Sequence, residues 1–275
     1  MGRGFAPRPI VFVGKLLREG FGEVSRSWPG NLCRTVFGRV PKLEAVSSPM
    51  LEPSVGLGVL HLFLSLEKGA DREAYLQAVK SAEEDGCQVI TVAMLGHRAD
   101  VGVMALAKDF WRLRRLQGEL RQAGLIPRYS YVSLTEVSEY AGNMSEGRRN
   151  ARLYPVLPPR GKTAFCFYPM SKRRSAADNW YMLPYERRLA LMHEHGTSGR
   201  RFAGRVVQLV TGSAGLDDYE WGVTLFAVAP DDLKEVVYEM RFDEVSARYG
   251  EFGPFLSGMI ASPEEVWDGL GMGQW

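Results

Sequence analysis

The sequence predicts an α+β protein made of two successive units of similar size, each with helices packed on one face of an antiparallel sheet. Three observations predict it. From Leu51 onward, short apolar or alternating runs interleave with stretches of helical periodicity in the order β-α-β-α-β. A segment rich in Gly, Arg and Pro, GNMSEGRRNARLYPVLPPRGK (142–162), then breaks the rhythm, which resumes as strand, helix, strand, strand, helix. Finally, 275 residues, 45% hydrophobic and 24% charged, can fill one large core or two ordinary ones.

In the first unit, VGLGVLHLFLSL (55–66) is an apolar strand and DREAYLQAVKSAEEDG (71–86) a helix with an acidic start and a Gly stop. QVITVAMLG (88–96) is a β-branched strand ending in a turn. VMALAKDFWRLRRLQGELRQAG (103–124) has helical spacing and a Gly stop, and RYSYVSLTEVS (128–138) alternates as a strand. In the second unit, TAFCFYPMS (163–171) is a strand and LPYERRLALMHEHGTSGRRFAG (183–204) a helix. RVVQLVTGS (205–213) and EWGVTLFAVA (220–229) are strands, and APDDLKEVVYEMRFDEVSARYG (229–250) is a helix. Two ferredoxin-like units account for this order. The expected organisation is an extension over 1–52, a first domain over 53–145, a second over 146–262 and a tail over 263–275.

Composition narrows function. With 34 Lys and Arg against 32 Asp and Glu, the net charge of +2 provides no global field for nucleic acid or anionic lipid. An acidic ligand must be met by local clusters. Cys33, Cys87 and Cys166 lack CxxC spacing, so neither a disulfide framework nor a zinc site is expected, and a reducing, cytoplasmic setting fits. No apolar run is long enough to span a bilayer. The first fifty residues are rich in Arg, Gly, Pro and Ser and poor in acids. VFVGKLLREGF could form a basic amphipathic turn or two, but no signal-peptide pattern is visible. A weakly ordered extension, or a true start at Met50, is the simpler reading.

Two stretches carry chemistry. In the helix through ERRLALMHEHG (186–196), which leads into GTSGR, Leu189, Met192 and His195 fall on one helical stripe, while His193 is turned away from His195. His195 is then either a core histidine satisfied by a carbonyl or a neutral imidazole aimed at a metal or cofactor. Gly196 and Gly199 would let a flat ligand approach the backbone, or would mark the end of the helix. In FCFYPMSKRR, Tyr168 ends a strand just before Lys172, Arg173 and Arg174. This resembles a carboxylate site, and equally suits a packed aromatic beside a solvated turn.

YPMSKRR, NWYMLPYERR, LMHEHGTSGRRFAG, TGSAGLDDYEWGVTLF and YEMRFDEVSARYGEFG together resemble the chlorite dismutase superfamily, most closely its coproheme decarboxylase (peroxide-dependent haem synthase) branch. The likeness is dense from Arg152 to Leu256 and continues, more thinly, back to Val55 through GHRAD and IPRYSYVSLTEVSEY. It implies two ferredoxin-like domains forming a dimeric α/β barrel type subunit, five subunits to a ring, with porphyrin in the second domain. By the same resemblance His195 is the axial ligand of the iron and Tyr168 the catalytic tyrosine, with Lys172 near a reactive propionate. Arg152, Arg241 and Ser246 anchor propionates, Pro169, Met170 and Ser171 line the pocket with the YPMSK strand, and Gln208 is the distal residue. The spacing from Arg152 to Tyr168 is about two residues longer than the family pattern. The implied ligands are Fe-coproporphyrin III as substrate and redox centre, haem b as product and hydrogen peroxide as oxidant. The coproporphyrin ferrochelatase is an implied transient partner.

Turning a propionate into a vinyl group requires an oxidant, because acid or base alone cannot remove hydrogen from an unactivated β-carbon. A tyrosine beside the propionate can relay a radical and hydrogen-bond the carboxylate, and a lysine can hold the carboxylate or move a proton. Met170 and Trp180 read as pocket walls, oxidisable bystanders or core. The rivals are a true chlorite dismutase, which steers oxyanions with a distal arginine where this chain has the neutral Gln208, and a haem-binding sensor or carrier.

Overall fold

The computed structural model describes residues 49–142 and 144–271, so the expectations for residues 1–48 lie outside the described residues. The first unit contains β1 (Gly58–Leu66), α1 (Arg72–Glu84), β2 (Gln88–Met94), β3 (Val101–Ala107), α2 (Phe110–Gln122) and β4 (Leu125–Thr135). Helix α3 (Glu146–Leu153) lies between the units. The second unit contains β5 (Ala164–Lys172), α4 (Tyr185–Arg200), β6 (Val206–Gly212), β7 (Trp221–Ala227), α5 (Pro230–Met240), α6 (Glu244–Tyr249), β8 (Gly250–Phe252) and β9 (Leu256–Ile260), and α7 (Pro263–Asp268) follows it.

Three sequence expectations are corrected. Residues 103–107, assigned above to a helix, are the end of strand β3. All seven residues of β3 are buried between β1 and β2, with side chains packed on both faces, so the run is continuously apolar and shows no strand alternation. The helix begins only where the Asp109 carboxylate caps Trp111 N–H. The segment 142–162 contains a two-turn helix, α3. The single helix expected over 229–250 is interrupted at residues 241–243, giving α5 and α6. The tail begins as α7, capped reciprocally by Ser262 and Glu265, whose Val266 and Trp267 enter the core, Trp267 stacking on Tyr75 at 5.5 Å. At the other end Leu51, placed in the extension, is tied to α2: its N–H donates to Asp109 Oδ1 (3.1 Å) and its carbonyl accepts from Phe110 N–H (3.0 Å).

All strands pair antiparallel in the order β7-β6-β4-β1-β3-β2-β9-β5-β8, and β7 also pairs with β5, which closes an eight-stranded barrel with β8 appended. The two units join at β2–β9 and β4–β6. The first junction needs Gly258, because a Cβ there would lie 2.3 Å from Ala93 O. Strand β5 holds the barrel together: β7 pairs along all of one edge, while β9 and then β8 share the other.

Side chains segregate by strand alternation. The barrel interior is filled by Val59, Phe63, Met104, Tyr131, Phe165, Phe167 and their neighbours. Outside, α1, α2 and α7 cover the first unit through Tyr75, Leu113, Leu116 and Leu120. On the second unit Cys166, Tyr168, Val223, Leu225, Phe202 and Val236 form the layer between sheet and helices. That outer layer of the second unit carries the candidate site.

Candidate functional site

Helix α4 runs without interruption through Gly196 and Gly199 to Arg200, so neither glycine ends it. Gly199 faces α5, its hypothetical Cβ 3.6 Å from Met240 Cε, and only Arg200 lies near Gly196. His193 is exposed, whereas the His195 side chain is 22% exposed and turned toward the α5–α6 break. There His195 Nδ1 meets Asp243 Oδ2 at 3.0 Å, and Ser198 Oγ–H donates to Asp243 Oδ1 at 2.8 Å. Asp243 stands at the N-cap of α6 but makes no side-chain cap bond, because both oxygens serve α4. A carboxylate on Nδ1 makes that nitrogen the N–H and leaves the Nε2 lone pair free for a metal. Burial holds the His195 imidazole below its ordinary pKa, the Lys172 charge lowers it further, and Asp243 pulls it back up. It is therefore neutral at pH 7, as a ligand must be.

The break in the α5–α6 helix also places Arg241, whose guanidinium lies over the Phe252 ring at 5.6 Å. Phe252 meets Tyr168 edge-on at 5.9 Å, and Phe255 stacks on Tyr168 at 4.5 Å. Tyr168 is 7% exposed. Its phenol is pushed well above the usual range by burial and by Cys166, with Arg241 pulling it down. Lys172, also 7% exposed, has its Nζ 4.9 Å from the Trp180 ring centroid and makes no ion pair among the described residues. Burial lowers its pKa to about 8 against an upward pull from Glu220. Glu220 also accepts the Lys172 backbone N–H at 2.8 Å, which fastens the end of β5.

Pro169 and Ser171 are buried in β5 and Met170 packs against the Tyr168 layer. Gln208 is exposed on β6 between Val206 and Val210, two residues that pack on the same layer, so alternation puts it on the Tyr168 side of the sheet. Ser246 lies half-buried in α6, its N–H bonded to Asp243 O. Tyr168, Lys172 and Gln208 thus share the side of the sheet that α5 covers, and His195, Arg241 and Ser246 lie where α4 and α6 adjoin that helix. Arg152 is exposed on the last turn of α3, in a segment tied to β1 and β4: Thr135 Oγ1 donates to Leu153 O and Gly56 N–H to Tyr154 Oη. No described contact joins it to that layer.

Sequence reasoning did not single out Asp243, although it lies inside the quoted MRFDEVSARYG. The available signal was a carboxylate at a helix start near a candidate metal-binding histidine. Glu136 was missed as well; its carboxylate rests where a Gly212 Cβ would be and accepts Trp221 Nε1–H at 3.0 Å.

A closed antiparallel barrel of two α+β units, with a carboxylate-bonded histidine on an outer helix and a buried tyrosine and lysine on the outer face of β5, defines a class of α+β barrel proteins. The chain belongs to the chlorite dismutase family: the family model matches residues 69–261. It is similar to a haem-binding protein from Thermus thermophilus, at 37% identity over 82% of this chain and 98% of that one, with a TM-score of 0.71. A mutant chlorite dismutase from Candidatus Nitrospira defluvii shares the fold at 16% identity, over 80% of this chain and 98% of that one, with a TM-score of 0.64. No described helix is long and apolar enough to cross a membrane.

Proposed function

We propose that the protein is a coproheme decarboxylase: it binds Fe-coproporphyrin III and, using hydrogen peroxide, converts two propionates to vinyls, giving haem b through a mono-decarboxylated intermediate. The observation that carries this reading is the burial of Tyr168 and Lys172 on one face of β5, with Lys172 near enough for its charge to lower the pKa of His195. A porphyrin supplies its own four nitrogens to iron, so one protein ligand suffices. The described residues fit, offering a single imidazole with a free Nε2 and no cluster of three or more His, Cys, Asp or Glu.

The bound iron porphyrin supplies redox capacity toward peroxide; the other roles belong to the chain. Each turnover balances as propionate plus hydrogen peroxide plus a proton giving vinyl, carbon dioxide and two waters. Lys172, mostly charged at pH 7 with a pKa of about 8, pairs with the reacting carboxylate. The raised Tyr168 pKa keeps its phenol protonated, so it donates to that carboxylate and gives up proton and electron together when oxidised. The phenoxyl then takes a hydrogen atom from the β-carbon, and loss of carbon dioxide and one further electron leaves the vinyl. Arg241 and Ser246 anchor propionates, and Arg152 joins them if α3 folds toward the ligand. Neutral Gln208 can orient peroxide but lacks the fixed charge that would steer chlorite. This reading brings with it a cytoplasmic homopentamer and transient contact with the ferrochelatase that makes coproheme.

The test is to load the protein with ferric coproporphyrin III, titrate peroxide and read pigment masses. Two successive losses of carbon dioxide are expected from the parent. Tyr168→Phe should bind coproheme within about 0.5 to 1.5 kcal/mol of the parent, or about twice that for a bond to a charged carboxylate, yet release almost none. Divinyl product from Tyr168→Phe at the parent rate would refute the mechanism. Tight binding of pigment with no turnover by the parent would favour a haem sensor or carrier.

A further inference from the structure

Trp180 has no role in the reaction above, yet it sits beside it. It is 2% exposed, in the 3-10 turn Trp180–Met182, with the Lys172 ammonium over its ring. Its ring meets Tyr249 edge-on at 5.4 Å and Tyr140 at 6.2 Å; Tyr140 stacks on Tyr185 at 5.9 Å, and Tyr185 is 42% exposed. Such separations are those of rings in contact. An aromatic path therefore leads from Lys172 to the surface. An oxidant able to take an electron and a proton from a buried phenol can also take an electron from an indole, so this path is a leak unless something closes it.

We propose that the Lys172 ammonium is an electrostatic guard on Trp180: its positive charge above the ring holds the indole electron and keeps oxidising equivalents on Tyr168 and the substrate. The role rests on the decarboxylase reading only for the source of those equivalents. A unit charge at 4.9 Å disfavours a cationic indole by about fourfold at the dielectric of water and by about three-hundredfold at an effective value of 20. Without pigment Lys172 is nearly buried and unpaired among the described residues, and Glu220, the carboxylate beside its strand end, engages its backbone N–H, so the larger figure is the better guide there; the substrate carboxylate that pairs with Lys172 during turnover reduces it.

With the guard in place, both electrons required by one hydrogen peroxide come from one propionate. Without it, Trp180 gives up an electron and is refilled through Tyr140. The net loss is one electron and one phenolic proton from Tyr185, which is exposed enough to release the proton to water. Two such losses balance one peroxide, and two Tyr185 phenoxyl rings from separate chains can then join through a carbon–carbon bond as dityrosine.

The experiment compares Lys172→Met, which removes the charge, with Lys172→Arg, which keeps it. Removing a buried, unpaired charge in favour of a hydrophobe of similar length leaves folding intact, checked by melting temperature. First, the pigment-free proteins are oxidised with a photogenerated ruthenium tris-bipyridine oxidant, and hydroxylated or ring-opened Trp180 is quantified by peptide mass spectrometry against exposed Trp111. Lys172→Met should raise Trp180 oxidation by at least about tenfold over the parent, and Lys172→Arg should not. Equal oxidation in all three, or in Met and Arg variants alike, overturns the guard whatever the pigment does. Second, coproheme-loaded Lys172→Met with peroxide should accumulate oxidised Tyr185, and adding Trp180→Phe should abolish it. Persistence of that oxidation overturns the path. A parent that protects Trp180 without making divinyl product would sink the decarboxylase reading and uphold the guard.

Discussion

Replacing Asp243 by Asn isolates what the carboxylate does for His195. Asn keeps the size and can still bond Ser198 Oγ, but the formal charge facing Nδ1 is gone. The contact is 3.0 Å between side chains 22% and 10% exposed, so it is neither strongly screened nor freely mobile. A hydrogen bond to a charged group of this kind is worth about 1.5–3 kcal/mol. Loss of an outer-shell partner of a metal-bound histidine commonly costs about ten- to a hundredfold in affinity, which is the same range. The carboxylate also raises the His195 pKa against the downward effects of burial and Lys172, so in the pigment-free variant that pKa should fall further. Ferric porphyrin affinity by absorbance titration should drop by about ten- to a hundredfold, and the iron–imidazole stretch in resonance Raman should move to lower frequency. Fold should be little affected, because Asp243 makes no side-chain cap bond for α6. Ser198→Ala, which removes only the Oδ1 bond, should fall between variant and parent. Unchanged affinity and an unchanged stretch in Asp243→Asn would show that the carboxylate does not act on a metal ligand.

Three further outcomes are expected. His195→Ala should abolish the iron–imidazole signal, whereas exposed His193→Ala should leave it intact; the reverse would overturn the helix-face assignment. Arg241→Ala should weaken coproheme binding more than haem binding, since haem has lost two carboxylates, and should cost more than Arg152→Ala, which lies outside the cluster; equal losses with both pigments, or a larger loss at Arg152, would relocate the anchor. His61, fully buried in the barrel with Nε2 3.0 Å from Thr224 Oγ1 and no partner for Nδ1 among the described residues, has its pKa lowered to about 3 by burial. The unfolded imidazole takes up a proton below about pH 6.5 and the folded one does not until about pH 3, so this group makes stability fall as pH drops through that window, by about 1.4 kcal/mol per pH unit. Urea unfolding at pH 7 and pH 5 should show the parent losing about 2 kcal/mol more than His61→Leu, and parallel losses would place His61 outside that linkage.

The strands and helices that bury one face were legible because their side-chain period is set by the same geometry that buries them. α1 shows this with Tyr75, Ala78, Val79 and Ala82, and β4 with its alternation. β3 was not legible as a strand, because a strand covered on both faces has no period to read, and MALA followed by KDFWRLRRL continues smoothly into a helical stripe. The ring closure was hidden for a different reason. Pairing of β7 with β5, and of β2 with β9, joins residues far apart in the chain, and local pattern carries no register. Only the family resemblance pointed to a barrel.

At the candidate site the division falls in the same place. The choice of His195 over His193 follows from helical geometry within ten residues, and the structure places the two on different sides of α4. What equips that histidine to serve as a ligand is Asp243, 48 positions away, and it can reach only because the expected long helix stops at Met240 and restarts at Glu244. The same interruption puts Arg241 over Phe252 and hence beside Tyr168. Restoring the helix would therefore disturb the imidazole and the phenol together. Phe242, 72% exposed at the break, is the position to alter: Phe242→Ala raises helix propensity there without removing a buried contact. If continuity of that backbone controls the site, Phe242→Ala should weaken porphyrin affinity while leaving or raising the melting temperature. A fall in melting temperature with affinity unchanged would show that the break is a packing feature, and that Asp243 and Arg241 hold their places without it.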